Sequence, residues 1–196
     1  MIVVFVIIVA IVLIATYKIR EVLNNKHLLI LLLSLKKYES DFKNATADFQ
    51  NLVNGNWYIS DRQYREWKAK YKYLAEILNP FFSKIKTKEP FKKLVVDFDG
   101  FWHNGRKLFI EGFNEKFVKQ ETPIIRRILS EKGIQNNNDQ VAAIASDEDN
   151  TLLVAGAGTG KTTTILGKLA YLIERVGVNP EDILLLSFTG RAVKEL

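Results

Sequence analysis

Leu152–Thr164 reads LLVAGAGTGKTTT, and this stretch decides how the rest of the chain is interpreted. Leu152 to Ala155 form an apolar run of the length of a buried strand, and a turn containing Gly156, Gly158 and Gly160 follows. The turn ends in Lys161-Thr162 and opens a segment with apolar Ile165, Leu166, Leu169 and Leu172 at helical intervals up to Arg175. Strand, glycine turn and helix in that order make a phosphate-binding loop. The glycines let the backbone curl so that successive N–H groups converge on one centre, where the helix N-terminus adds positive potential. Lys161 is spaced to reach the β- and γ-phosphates of a nucleotide, and Thr162 to offer its hydroxyl to Mg²⁺. The strict pattern has a glycine five residues before Gly160; Ala155 stands there, so the loop is a variant form. A glycine turn without a ligand is the alternative, and the strand and helix signals on its two sides argue against it.

Further signals flank the loop. Gln140 lies sixteen residues before Gly156, in DQVAAIASDEDNTLLVAG, and ILLLSFTGRAVKEL from Ile183 to Leu196 reads as a second buried strand. With the AYLI helix end, the PEDILLLSF strand and the stretch from His103-Asn104 to Phe113, this run resembles the start of a UvrD/Rep-type superfamily 1 DNA helicase, closest to helicase IV. The resemblance implies that Gln140 reads the adenine edge of ATP. It implies further that Ala155, Gly156, Ala157, Gly158, Thr159, Gly160, Lys161, Thr162 and Thr163 contact the nucleotide. Lys161 and Thr162 then carry the catalytic roles, Thr162 through Mg²⁺, and Phe188, Thr189 and Arg191 contact single-stranded DNA. An aromatic face stacks on any base, and a hydroxyl or cation meets a phosphate.

The chain departs from the family pattern at three places. Asn136 replaces an apolar residue four positions before the glutamine, Thr163 stands where many relatives carry an arginine, and Gly190-Arg191 replace Asn-Lys. The third departure leaves Arg191 as the phosphate cation. The fold expected from the resemblance is α/β: a partial RecA-like P-loop NTPase domain over 135–196, after a mainly helical region over 18–134 and an apolar helix over 1–17. The resemblance covers about Asn137 to Leu196. An acidic strand-end pair, an arginine finger and a second RecA-like domain do not appear within it, and phosphoryl transfer depends on that electrostatic clamp. The 196 residues alone are therefore expected to be inert, as the N-terminal part of a longer helicase or a truncated product. Two other readings stay open: a membrane-associated P-loop ATPase that does not unwind nucleic acid, and a non-enzymatic helical membrane adaptor.

Composition narrows the classes. The absence of cysteine excludes a disulfide framework and thiolate metal sites, and two histidines far apart do not make a zinc site. A net charge of +6 suits acidic partners such as nucleic acid or anionic lipid, or simply solubility. Ile2 to Tyr17 carries no charge over sixteen residues and is followed by Lys18, Arg20 and Lys26. It is expected to be a membrane anchor with the basic flank and the ATP site on the cytoplasmic side; a buried core helix is the alternative. No basic region precedes it, which disfavours a cleaved signal peptide. Leu28–Leu35 is too short to span and reads as packed or interfacial.

Between these ends, Ser60 and Gln63 have capping-box spacing, and Tyr64, Trp67, Tyr71, Leu74 and Leu78 form a packing stripe that stops at Asn79-Pro80. The lysines and arginines on the remaining faces read as solvated, or as a surface for nucleic acid or lipid. From Leu94 the chain reads as aromatic loop and glycine turns before a helix, with Asp97 and Asp99 as turn formers rather than metal ligands. Gln135–Asp139 is the expected linker into the nucleotide domain.

Overall fold

A computed structural model describes residues 2–86, 90–156 and 158–186. Eight α-helices are found among them: α1 Ile2–Lys37, α2 Glu39–Val53, α3 Asp61–Leu78, the short α4 Phe82–Ile85, α5 Lys92–Gly105, α6 Glu111–Glu131, α7 Asn138–Ala145 and α8 Lys161–Tyr171. Wide π turns follow α5 (Arg106–Ile110) and α8 (Leu172–Val176). The chain divides into two compact units, Met1–Phe49 with Lys68–His103, and Gln50–Trp67 with Asn104–Leu196.

In the first unit the core is aromatic. Phe42 and Phe49, a helical repeat apart on α2, meet Phe98 edge-on at 5.0 Å and Phe101 stacked at 4.4 Å. Asp48 accepts from Lys70 Nζ at 2.7 Å and from the Tyr71 hydroxyl at 2.6 Å. The Lys70 bond first, and the Tyr71 bond with it, hold this carboxyl below the usual carboxylate range. Of the α3 stripe, Tyr71, Leu74 and Leu78 are buried in this unit and Tyr64 and Trp67, which belong to the second, are buried too; α3 ends where Asn79-Pro80 begins a 3-10 turn. The stretch after Leu94, expected as loop and turns, is helix instead. A side chain at Gly100 would meet nothing within 4 Å, so this glycine marks no turn. Asp99 pairs with His103 one turn later at 3.1 Å, and among the described residues no acidic or histidine cluster can hold a metal.

Among the described residues no helix is long and apolar enough to cross a membrane; most of the anchor expected at 1–17 has side chains that lie outside them. The uncharged run, sixteen residues long, rises about 24 Å as a helix, whereas a hydrocarbon core is about 30 Å thick.

In the second unit, α6, α7 and α8 share one core: Ile125, Ile128 and Leu129 meet Val141, Ile144 and Ala145, with Ala170 and Tyr171 against both. Apart from Tyr171 at its end, the α8 face that enters this core is made of small groups. Thr164, Gly167 and Ala170 are buried, whereas Ile165 is 44% exposed. A Cβ at Gly167 would come within 2.7 Å of Ile144 Cδ1 and 2.9 Å of Leu129 Cδ2, so glycine is what allows the close approach of α8. Behind it, the buried Glu121 of α6 accepts from the Tyr171 hydroxyl at 3.0 Å and, with both oxygens, from Arg175 at 2.9 and 3.0 Å.

The expected α/β fold is contradicted: no residue among those described lies in a β-strand, so a RecA-like sheet is not seen. The two apolar runs, Leu152–Ala155 and Ile183–Leu186, carry no regular structure. They show the alternation of strands on one side only. Leu153, Ile183 and Leu185 line a cavity of about 230 Å³ over Ile165, Leu169 and Leu172 of α8 and its continuation, while Leu152, Val154, Leu184 and Leu186 are 79–86% exposed. A helix satisfies its own backbone, but a strand needs neighbours to pair with, and a few short segments gain little from pairing.

Candidate nucleotide-binding site

The site is the turn between Ala155 and α8. Gly158 and Gly160 adopt left-handed backbone conformations, φ +73° and +87°, which only glycine takes without strain. Gly160 is the N-cap of α8 and offers no side-chain cap, so the N–H groups of the first turn point out of the helix end without a side-chain acceptor. Inside the turn, Thr159 Oγ1 donates to Gly156 O at 2.8 Å, and Thr164 Oγ1 donates to Gly160 O at 2.9 Å. Lys161 Nζ folds back onto the Ala155 and Gly156 carbonyls, 2.6 Å from each.

That arrangement fits a nucleoside triphosphate with its metal. The two carbonyls that hold the lysine ammonium carry no net charge, and the helix N-terminus beside them favours an anion. Thr162 is exposed on the first turn of α8, and Thr163 is half-buried beside it. Bound there, the metal would neutralise phosphate charge, with Lys161 and the α8 N-terminus holding the remaining oxygens.

Gln140 sits against the loop. Its Nε2 donates to Thr159 O at 3.3 Å, and a Cβ at Gly160 would lie 2.5 Å from that nitrogen. Its other end is engaged as well: Oε1 accepts from the Asn137 N–H at 2.9 Å, while Asn137 Oδ1 accepts from the Gln140 N–H at 2.9 Å, a reciprocal capping box that starts α7. An adenine edge would have to take the amide from these partners. The signal for the box was in the sequence, because Asn137 three residues before Gln140 has capping-box spacing. Ala157, Phe188, Thr189 and Arg191 lie outside the described residues.

Sequence reasoning missed the fixings around the loop. Lys168, one helical repeat beyond Lys161, donates to Ile144 O at 2.9 Å and Ser146 O at 2.7 Å, and burial pushes its ammonium below the usual lysine range. Trp57 Nε1 donates to Asp147 Oδ2 at 2.9 Å, and Tyr58 and the Asp61 N–H both donate to Glu148. Partners some ninety positions apart in the chain leave no local spacing to read.

Residues 136–196 match the model of the UvrD/REP helicase N-terminal domain. This stretch is similar to the N-terminal portion of a UvrD/Rep-type helicase domain. Among curated proteins, YjcD of Bacillus subtilis (strain 168) is 32% identical over 100 residues, 48% of this chain and 12% of its own length. ATP-dependent DNA helicase PcrA of Staphylococcus epidermidis (strain ATCC 12228 / FDA PCI 1200) is 40% identical over 60 residues, 31% of this chain and 8% of its own. PcrA of Staphylococcus aureus (strain COL) is 37% identical over 60 residues, with the same coverage. The chain thus spans about a tenth of the length of the relatives it matches. No solved structure matches it. The helicase segment begins just before α7 and includes the whole loop, whereas α6, which completes its core, precedes it.

Proposed function

We propose that this chain supplies the ATP-binding loop of an ATP-dependent DNA helicase, which couples hydrolysis to translocation along single-stranded DNA and to duplex unwinding. The observation that carries the reading is the loop itself. Two left-handed glycines, an uncapped helix N-terminus and a lysine without a carboxylate partner among the described residues converge within the stretch that matches the helicase family. In this reading Lys161 and the loop N–H groups hold the phosphates and Thr162 binds Mg²⁺. Gln140 gives up its capping contacts to read adenine, and Phe188, Thr189 and Arg191 meet the DNA strand. Names given to relatives, such as ATP-dependent DNA helicase PcrA, support the same class.

Two variants test the reading. Lys161→Ala should abolish MgATP binding to this chain, and DNA-stimulated hydrolysis in the whole protein, as measured by calorimetry and phosphate release. Phe188→Ala should leave MgATP binding unchanged while single-stranded DNA affinity falls by about 1–3 kcal/mol, the cost of one lost base stack. Equal MgATP binding by the wild type and Lys161→Ala would sink the nucleotide assignment. A whole protein whose hydrolysis ignores DNA would favour a P-loop ATPase of another kind.

A further inference from the structure

The turn that feeds the phosphate loop is gripped from outside the matched helicase residues. Asp147, Glu148 and Asp149 join the end of α7 to the run that starts the loop, and all three carboxylates find partners within residues 57–62. Trp57 Nε1 meets Asp147 Oδ2 at 2.9 Å, and Arg62 Nε meets Asp149 Oδ1 at 3.0 Å. Glu148 is held at both oxygens, by the Tyr58 hydroxyl at 3.2 Å and by the Asp61 N–H at 2.8 Å. The second bond places a carboxylate on the N-terminus of α3, where the exposed N–H groups and the helix dipole favour an anion. Residues 57–62 cannot shift freely, because Ser60 and Gln63 form their own capping box and the Ile59 N–H and carbonyl are both bonded to Asn114 of α6 at 2.9 Å. Trp57 also packs edge-on to Phe117 at 5.2 Å and lies under the Arg175 guanidinium at 5.8 Å.

Three consecutive acids in a turn are ordinarily a solvated surface. Here the turn has one end on α7, whose Gln140 is bonded to the loop, and the other end on the run whose Ala155 and Gly156 carbonyls hold Lys161. A displacement of the turn therefore moves both walls of the nucleotide site relative to each other.

We propose that residues 57–62 form a positioning clamp on the nucleotide site, with Trp57, Tyr58 and Arg62 setting how α7 and the phosphate loop face each other, so that MgATP affinity depends on a segment outside the helicase match. The proposal rests on the nucleotide reading above. Its test uses the full 196-residue chain, with MgATP titrated by calorimetry and folding followed by circular dichroism. Glu148→Gln combined with Tyr58→Phe is expected to weaken MgATP three- to tenfold with helix content unchanged. Arg62→Asp and Asp149→Arg should each weaken it about twofold, and the two together should restore it, a rescue that a merely structural role would not give. Tryptophan emission should change on adding MgATP to the wild type and stay constant in Trp57→Phe, although calorimetry still reports binding. If the Glu148 double variant does not fold, the exposed Arg62–Asp149 swap decides alone. Clamp variants that bind MgATP as the wild type does, while Lys161→Ala does not bind, would overturn the clamp and leave the nucleotide site standing. A wild type that fails to bind MgATP overturns both.

Discussion

The two sides of α8 differ in what completes them. On one side Thr164, Gly167, Ala170 and Tyr171 press into α6 and α7, and the core closes with ion pairs and hydrogen bonds behind it. On the other side Ile165, Leu169 and Leu172 line a cavity beneath two apolar runs whose outer residues, Leu152, Val154, Leu184 and Leu186, are 79–86% exposed. Hydrophobicity is not the difference, since both sides have it. Helices arrive with their backbone hydrogen bonds made and need only side-chain packing, whereas apolar runs of strand character need a ladder before their burial counts. The helical side is therefore complete within these residues, and the other side is a half-covered layer.

The largest expected effect comes from breaking the complete side. Gly167→Val would put three carbons where one Cβ already comes within 2.7 Å of Ile144 Cδ1 and 2.9 Å of Leu129 Cδ2. Helix propensity alone favours replacing an interior glycine, by up to about 1 kcal/mol. Overpacking a closed core costs about 1–3 kcal/mol or more, so the steric effect should win and the unfolding midpoint in urea should fall clearly. A midpoint that rises would mean that α8 does not approach α6 and α7 this closely, and the contrast between its two sides would weaken.

How much was legible follows from the same contrast. The loop, α8 and the end of α3 were readable because glycine turns, capping boxes and i, i+3, i+4 repeats are written in neighbouring residues. The face by which α8 packs was not: the apolar Ile165 and Leu169 suggested one side, while the buried side consists of Thr164, Gly167 and Ala170, with Tyr171 at its end. Small residues bury well when helices approach closely, and periodicity counts only the large ones. The strand expectation for Leu152–Ala155 and Ile183 onward rested on apolar runs, and such runs say that a segment wants cover without saying that a ladder partner is present. The aromatic stretch after Leu94 misled in another way. Its glycines suggested turns, but Gly100 continues α5 and Gly112 lies in α6, with nothing near enough to a Cβ to require glycine at either.

A smaller effect probes the polar bolt behind the same core. Glu121→Gln keeps the shape of a buried side chain but removes the charge that faces Arg175 with both oxygens and accepts from Tyr171. Hydrogen bonds to a buried carboxylate contribute about 1.5–3 kcal/mol each way of counting. The Arg175 side chain is 39% exposed and rehydrates when released, which discounts that figure. The expected loss is about 1–2 kcal/mol, read from the same urea transitions, and it should shrink at high salt. A loss insensitive to salt would place the stabilisation in the Tyr171 bond alone.

The smallest effect is the sharpest test of the half-covered side. Leu152 is 86% exposed and Leu184 79% exposed, so in this chain neither side chain has left water. Replacing either by serine should change stability by no more than about 0.5 kcal/mol, the range of ordinary surface positions. A buried leucine would behave otherwise, since losing its burial costs about 1.5–3 kcal/mol. The measurement therefore separates two states of the same residues. If Leu152→Ser and Leu184→Ser leave the urea midpoint where it was, the outer face of the two runs is open in the isolated chain. If either costs 1 kcal/mol or more, that face is covered in solution, by pairing between the runs or between copies of the chain, and the two sides of α8 are more alike than the structure makes them. Repeating the transition at tenfold lower protein concentration decides between those two kinds of cover, because only the second depends on concentration.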